Sequence, residues 1–135
     1  MCCYSDKNVK ARLLAKLKKK RRKTFVAWKA LERMEGGLAP EFGLSNYRYR
    51  PGINYALTRN GERWSGHQYN KAHPFGIHVY LMEPGRRYHS WPWLRIIRVI
   101  CHIDDLVRAS RSQAVFTQVR ITRAEYERAV RGGGR

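Results

Sequence analysis

Acidic side chains are scarce in this 135-residue chain: 10 Asp and Glu stand against 28 Lys and Arg, a formal net charge of +18. A compact body with that excess repels itself and attracts polyanions, so the shortage of carboxylates already selects the sign of a partner. Cysteine is rarer still, at three (Cys2, Cys3 and Cys101). An odd count with two adjacent near one end excludes a disulfide framework, and a reducing cytoplasm is the compartment this usage implies. Cys101 lies in an apolar run and reads as a buried thiol. No apolar run approaches the roughly 18–20 residues of a membrane-spanning helix, so no membrane span is expected; Ile96 to Ile100 is interrupted by Arg98. The N-terminus lacks the apolar segment of a secretory signal and turns basic by Lys7. Cys-x-x-Cys, His-x-x-x-His, a Gly-rich phosphate loop and a nucleophile motif are also missing, which leaves no metal site and no cofactor expected.

The charge that is present divides evenly. Up to Lys23, ten basic residues and one acid (Asp6) leave +9; from Thr24 onward, 18 basic residues and nine acids leave +9 again. The kinds differ. The head holds seven of the nine lysines, while the body holds 16 arginines with only Lys29 and Lys71. Lysine is a hydrated point charge suited to a diffuse phosphate field, whereas arginine offers a planar fork that binds phosphate in two places and stacks on rings. Lys16, Lys18, Lys19, Lys20, Arg21, Arg22 and Lys23 are therefore candidates for diffuse phosphate contacts. A coding bias toward arginine is the competing explanation, and the lysine-rich head argues against it.

With 43% hydrophobic residues the chain can build one core. Asp6 to Lys23 reads as a helix, because Val9, Leu13, Leu14 and Leu17 gather on one face and Ser5 or Asp6 can cap it. It docks on the body with its basic face solvated, serves as a basic arm on nucleic acid, or is a membrane-surface or nuclear-import segment; the membrane reading is disfavoured by its narrow stripe. Strands are expected at Thr24–Leu31 (with a helix the close second reading), Ile53–Thr58, Gly76–Leu81, Leu94–Ile103 and Ala114–Ile121. Between the first two, a loop runs through Pro40 and Gly43, and Asn60-Gly61 is a two-residue turn signal. Asp104 and Asp105 are expected to cap a short Leu106–Val107 segment. Thr122 and Glu125 form a capping box that opens a final helix. The chain is thus expected to be α+β: a small, mainly antiparallel sheet of about five strands with an N-terminal basic helix and a C-terminal helix. Its parts are a helical arm over 1–23, one domain over 24–131 and a flexible tail over 132–135.

Rings and cations interleave in three places: Tyr47-Arg48-Tyr49-Arg50, Arg63-Trp64, and Arg86-Arg87-Tyr88-His89-Ser90-Trp91. Rings stack on bases while guanidinium groups hold phosphates, the pairing that single-stranded nucleic acid or nucleotide sites require. On a strand, Tyr47 and Tyr49 would enter the core and Arg48 and Arg50 would face solvent. No strand period accounts for the rings of Arg86 to Trp91, so that loop is the stronger candidate. His78 alternates with Ile77 and Val79 and projects away from them.

The order Gly76-Ile77-His78-Val79-Tyr80, a loop, Ile96 to Ile103 ending in Asp104-Asp105, then Gln113-Ala114-Val115-Phe116 and Val119-Arg120-Ile121 resembles small uncharacterised phage-encoded proteins. It is also similar to the back half of ADP-ribosyltransferase-like folds. In active transferases an acidic residue opens the last strand and contacts the nicotinamide ribose; the matching position here is Gln113, after Ser112. The resemblance implies a nucleotide-sized cleft without catalysis, lined by Arg48, Arg50, His78, Tyr80, Tyr88 and Gln113.

The reading these residues favour is a non-enzymatic binding protein for a phosphate-bearing partner (RNA, DNA or a nucleotide). Arg63, Trp64, Arg86, Arg87, Tyr88, His89 and Trp91 would join the cleft residues in specific contacts. A phage accessory or counter-defence role suits the size and the resemblance. The alternative is an ADP-ribosyltransferase-like enzyme acting on NAD or a related nucleotide through His78, Tyr88 and an acid, Glu125 or Glu127. A third reading is an inhibitor that binds an acidic protein surface.

Overall fold

In the computed structural model, which describes residues 7–19, 21–35, 37–40, 47–58, 60–66, 76–85 and 93–131, the basic head forms helix α1 over Lys7–Lys19. The expected continuation to Lys23 does not occur. Arg21 takes a left-handed conformation (φ 54°), its N–H donates to the Lys18 carbonyl at 3.0 Å, and the Arg22 N–H donates to the Leu17 carbonyl at 2.8 Å. This pair of bonds satisfies the last helical carbonyls and reverses the chain, a stop that normally uses glycine and so left no mark in the sequence. Leu13 packs against the main core and Leu17 is buried, while Arg12, Lys16, Lys18 and Lys19 remain exposed.

Among the described residues eight strands follow rather than about five: β1 Thr24–Met34, β2 Gly37–Pro40, β3 Gly52–Tyr55, β4 Ile77–Tyr80, β5 Leu94–His102, β6 Leu106–Ala109, β7 Gln113–Phe116 and β8 Gln118–Ile121. Helix α2, Arg123–Val130, closes the order, so the fold is α+β with an antiparallel sheet. Three corrections account for the larger number. β2 occupies the segment expected to be a loop, zipped onto β1 from Leu31↔Pro40 to Met34↔Gly37, with Leu38 and Ala39 both buried. β6 begins where Asp104 and Asp105 were expected to act as caps. They belong instead to a 3₁₀ turn, Ile103–Asp105, whose Asp104 N–H is accepted by the His102 Nδ1. The expected last strand divides at Thr117, whose N–H donates to Asp105 and whose carbonyl accepts from Ala56. Nor is Asn60-Gly61 the whole of its turn: the Thr58 N–H donates to the Glu62 carbonyl, closing a three-residue connection with Gly61 left-handed at φ 81°.

The strand order is β3-β8-β5-β1-β4-β7-β6, with β2 also on β1. β1 and β5 form the spine, paired from Thr24↔His102 to Glu32↔Leu94. β7 and β8 sit in opposite wings yet are separated by Thr117 alone, and one residue spans only about 7 Å between its neighbours. The two wings must therefore curl toward each other. The enclosed side carries the core: Ala27, Leu31, Val79, Val99, Phe116 and Ile121, with Tyr126 and Ala129 of α2 packed against it.

Cys101 is fully buried there, and burial, with Asp105 nearby, pushes its thiol up to about 12. A buried thiol with almost no thiolate is inert. Native protein treated with iodoacetamide at pH 8 is expected to leave Cys101 unmodified by peptide mapping, and urea-unfolded protein to alkylate it fully. Modification of the native chain at the unfolded rate would contradict the buried placement.

Candidate functional site

The residues singled out by the sequence lie in different parts of the fold. Arg86, Arg87, Tyr88, His89, Trp91 and Lys20 lie outside the described residues. Trp64 lies inside the core at 5% exposure. A methyl group on Gly76 would come within 2.7 Å of its ring, so the indole fills space that the glycine leaves open. Its faces are covered by protein, and the ring next to Arg63 that is available is a different one. The Arg63 guanidinium lies 3.6 Å from the centroid of Tyr55, while Arg63 itself is exposed.

Between Tyr47 and Arg50 the alternation holds for the tyrosines: Tyr49 is buried, Tyr47 packs on the core, and their rings meet edge to face at 4.8 Å. Arg50 is exposed, but Arg48 is half-buried and donates from Nη1 to the Tyr47 carbonyl. His78 and Tyr80 share the side of β4 opposite Ile77 and Val79, and Tyr80 pairs directly with Gln113 on β7. The structure thus brings Tyr80 and Gln113 together. Burial, reinforced by the nearby Lys29 ammonium, holds the His78 imidazole down to about 4, so it is neutral near pH 7. Lys29 is itself buried, donating to the His78 carbonyl at 2.7 Å and lying 5.4 Å from the Tyr49 ring centroid.

Glu125 is not brought to His78. It opens α2, with its N–H donated to the Thr122 hydroxyl as the cap predicts. Its carboxylate does not close the box; it turns to the edge of β5, where β8 ends. There it accepts the Arg98 N–H at 2.8 Å and pairs with the Arg98 and Arg128 guanidinium groups at 3.2 and 3.3 Å. The carbonyl of Ala129 accepts from the buried Arg95 Nε, and Arg128 donates to the Ile96 carbonyl. α2 thus takes over the hydrogen-bonding edge of β5 that β8 leaves. Burial pushes the Glu125 carboxyl up, but the hydrogen bonds from Arg98 and Arg128 outweigh it and hold it at about 2. β1 lies between β5 and the strand that carries His78.

Sequence reasoning missed a surface formed only by register. Directly paired residues point to the same face of a sheet. Val26↔Ile100, Ile100↔Arg120 and Arg120↔Ile53 therefore make one row across β1, β5, β8 and β3. It lies on the side away from the main core, the side on which a smaller buried cluster, Ala30, Leu94 and Ile96, packs with Trp28 and Tyr80. Val26 is 49% and Ile53 53% exposed, and Arg120 is exposed between them. The next row toward β4 is Arg98–Trp28–Tyr80, with the Arg98 side chain 65% exposed. Beside Ile53 on β3, Tyr55 carries its Arg63 stack. A shallow depression of about 300 Å³, lined in part by Gly52, Arg120 and Arg123, adjoins the β3–β8 end. The signal in the sequence was weak: valine and isoleucine at the alternate positions that an ordinary sheet gives to polar residues. Among the described residues no cluster of His, Cys, Asp and Glu could hold a metal ion, and no helix is long and apolar enough to cross a membrane. In comparisons with known proteins, no family model, no curated protein and no solved structure matches the chain.

Proposed function

We propose that this chain is a non-enzymatic binding protein for a phosphate-bearing partner, a nucleic acid before a free nucleotide. One observation carries the reading: α1 is anchored through Leu13 and Leu17 and leaves its cations unmatched. Arg12, Lys16, Lys18, Lys19, Arg21, Arg22 and Lys23 are all exposed, and none forms an ion pair among the described residues. On α2, by contrast, Glu125 and Glu127 hold Arg98, Arg123, Arg128 and Arg131. The head remains a cationic surface held at a fixed place. Concentrated positive charge of this kind draws in a polyanion and releases its condensed counterions. Catalysis by an acid at Glu125 has less support, because both carboxylate oxygens are already engaged.

The test is a fluorescence-anisotropy titration of labelled ten-nucleotide U and dT strands between 50 and 200 mM NaCl. If about four phosphates are neutralised, log K falls against log salt with a slope of about −3, a loss of roughly 50-fold across that range. Replacing Lys16, Lys18 and Lys19 by alanine is expected to make the slope shallower by about 2. Equal affinity at both salt concentrations, or no binding at 50 mM, overturns the reading.

A further inference from the structure

The outer face of the β3-β8-β5-β1 wing has a composition that neither core packing nor solubility explains. Val26, Ile100 and Ile53 form an apolar row that is open to water at both ends, and Arg120 interrupts it in the middle. At one flank the Arg63 guanidinium lies flat enough on Tyr55 to approach within 3.6 Å of its centroid. At the other, Arg98 projects into solvent while its inner edge is tethered to Glu125. Cations thus stand inside and on both flanks of an exposed apolar strip; the acids near it are Glu125 and Glu83 beside Arg98, with Asp104 and Asp105 in the turn that follows β5.

We propose that this face binds single-stranded nucleic acid, with bases lying against the Val26–Ile100–Ile53 strip and on the outer face of Arg63, and phosphates at Arg120 and Arg98. The proposal rests on the nucleic-acid reading above and adds the form of the ligand and the place where it sits. The chemistry selects that form. A duplex hides its base faces and offers this surface only phosphates, so the apolar strip would gain nothing from it. An unpaired base brings a flat apolar face, and guanidinium planes and tyrosine rings are the groups on which such faces stack. Strands lie about 4.8 Å apart, so a row crossing four of them is about 14 Å long. Four-stranded sheets that bind RNA accommodate two or three bases on their faces, which fits that length. Arg63 is already supported from beneath by Tyr55, which reduces the side-chain freedom that stacking a base would otherwise remove. Either RNA or DNA supplies this chemistry, and the experiment separates them.

The experiment compares ten-nucleotide U and dT strands with a ten-base-pair duplex at 100 mM salt, using wild-type protein and the variants Arg120→Ala, Arg63→Ala and Ile53→Glu. All three positions are exposed, and retained thermal unfolding midpoints establish that the variants fold. The wild type is expected to bind the single strands at least tenfold more tightly than the duplex. Arg63→Ala and Ile53→Glu are each expected to lose about five- to a hundredfold of single-strand affinity, the range for losing one stacked base, with duplex binding nearly unchanged. Arg120→Ala is expected to weaken single-strand binding and make its salt slope shallower by about 0.7, as the loss of one phosphate contact does. A U-over-dT preference assigns RNA as the source, and the reverse assigns DNA. Equal affinity for single strands and duplex, or variants that bind as wild type while the lysine substitutions on α1 abolish binding, overturns the assignment of this face and leaves the polyanion reading standing. Absence of any binding at 50 mM salt removes both.

Discussion

Gly76→Ala is expected to destabilise the protein by about 3–5 kcal/mol, measured as the change in unfolding free energy in urea. Two costs combine at this position. Gly76 has φ +105°, outside the regions that residues with a side chain readily adopt. The added methyl would also lie 2.5 Å from Val115 Cγ1 and 2.7 Å from Trp64 Cζ3. Neither neighbour has room to retreat, since Val115 is fully buried on β7 and Trp64 is buried beside it. Domains of this size have about 5–15 kcal/mol in total, so a large share of the fold's stability depends on one missing methyl. Gly85→Ala is the control: nothing lies within 4 Å of its added methyl, and the change there is expected to stay within about 0.5 kcal/mol. If Gly76→Ala instead lowers stability by less than about 1 kcal/mol, Trp64 is not seated against Gly76, and its ring returns to the groups available for stacking.

The same packing shows where residue patterns are informative and where they fail. β1 and β5 were legible because β-branched, aromatic and other apolar residues accumulate over nine or more positions, β4 because Ile77, Val79 and Tyr80 are strand formers with no proline among them, and Thr122 because a cap is a local chemical requirement. β2 and β6 were not. Four residues such as Gly37–Pro40 carry too little period to compete with the Gly and Pro around them. What makes them a strand is the neighbouring edge of β1, two residues back along the chain. The division at Thr117 was invisible for a related reason. Phe116 and Gln118 look like one strand, and only their partners, Ile77 and Leu106 on one side and Tyr55 on the other, place them in different wings. The end of α1 was missed because Arg21 occupies a conformation that glycine usually fills.

The open face was the least legible element, although each of its residues is ordinary by itself. Val26, Ile53, Ile100 and Arg120 come from four strands that are distant in sequence, and they become neighbours only through register. Ring–cation proximity along the chain singled out Arg63-Trp64 correctly as a place of interest but chose the wrong ring. Adjacent residues on an extended chain point to opposite faces. Trp64 enters the core, and Arg63 turns outward to the ring across its own hairpin and strand, Tyr55. Alternation could have separated them, whereas adjacency could not.

Glu125→Gln is expected to cost about 2 kcal/mol at pH 7 and almost nothing near pH 2. The folded carboxyl sits at about 2, below its ordinary value of 4.5. A depressed acid contributes its stability above the unfolded value and loses it as pH falls toward the folded one, so the contribution disappears between about pH 4.5 and 2. The full shift corresponds to about 3 kcal/mol, reduced here because the Arg98 partner is largely solvent-exposed and its attraction is screened. Glutamine preserves the shape and can still accept the Arg98 N–H, so the variant removes charge and leaves the cap of β5 in place. Neutral, half-buried His78 has its own window: its folded value of about 4 lies below the unfolded 6.5, so stability also falls as pH drops through that interval. That loss is common to wild type and variant, and the difference between their urea-unfolding curves isolates Glu125. The two curves should run parallel from pH 7 to about 5 and converge below it. A gap that persists unchanged to pH 2 would mean that the substitution disturbs packing rather than charge. The hold of α2 on β5 would then rest on the contacts of Tyr126, Ala129 and Arg95 instead of on this ion cluster.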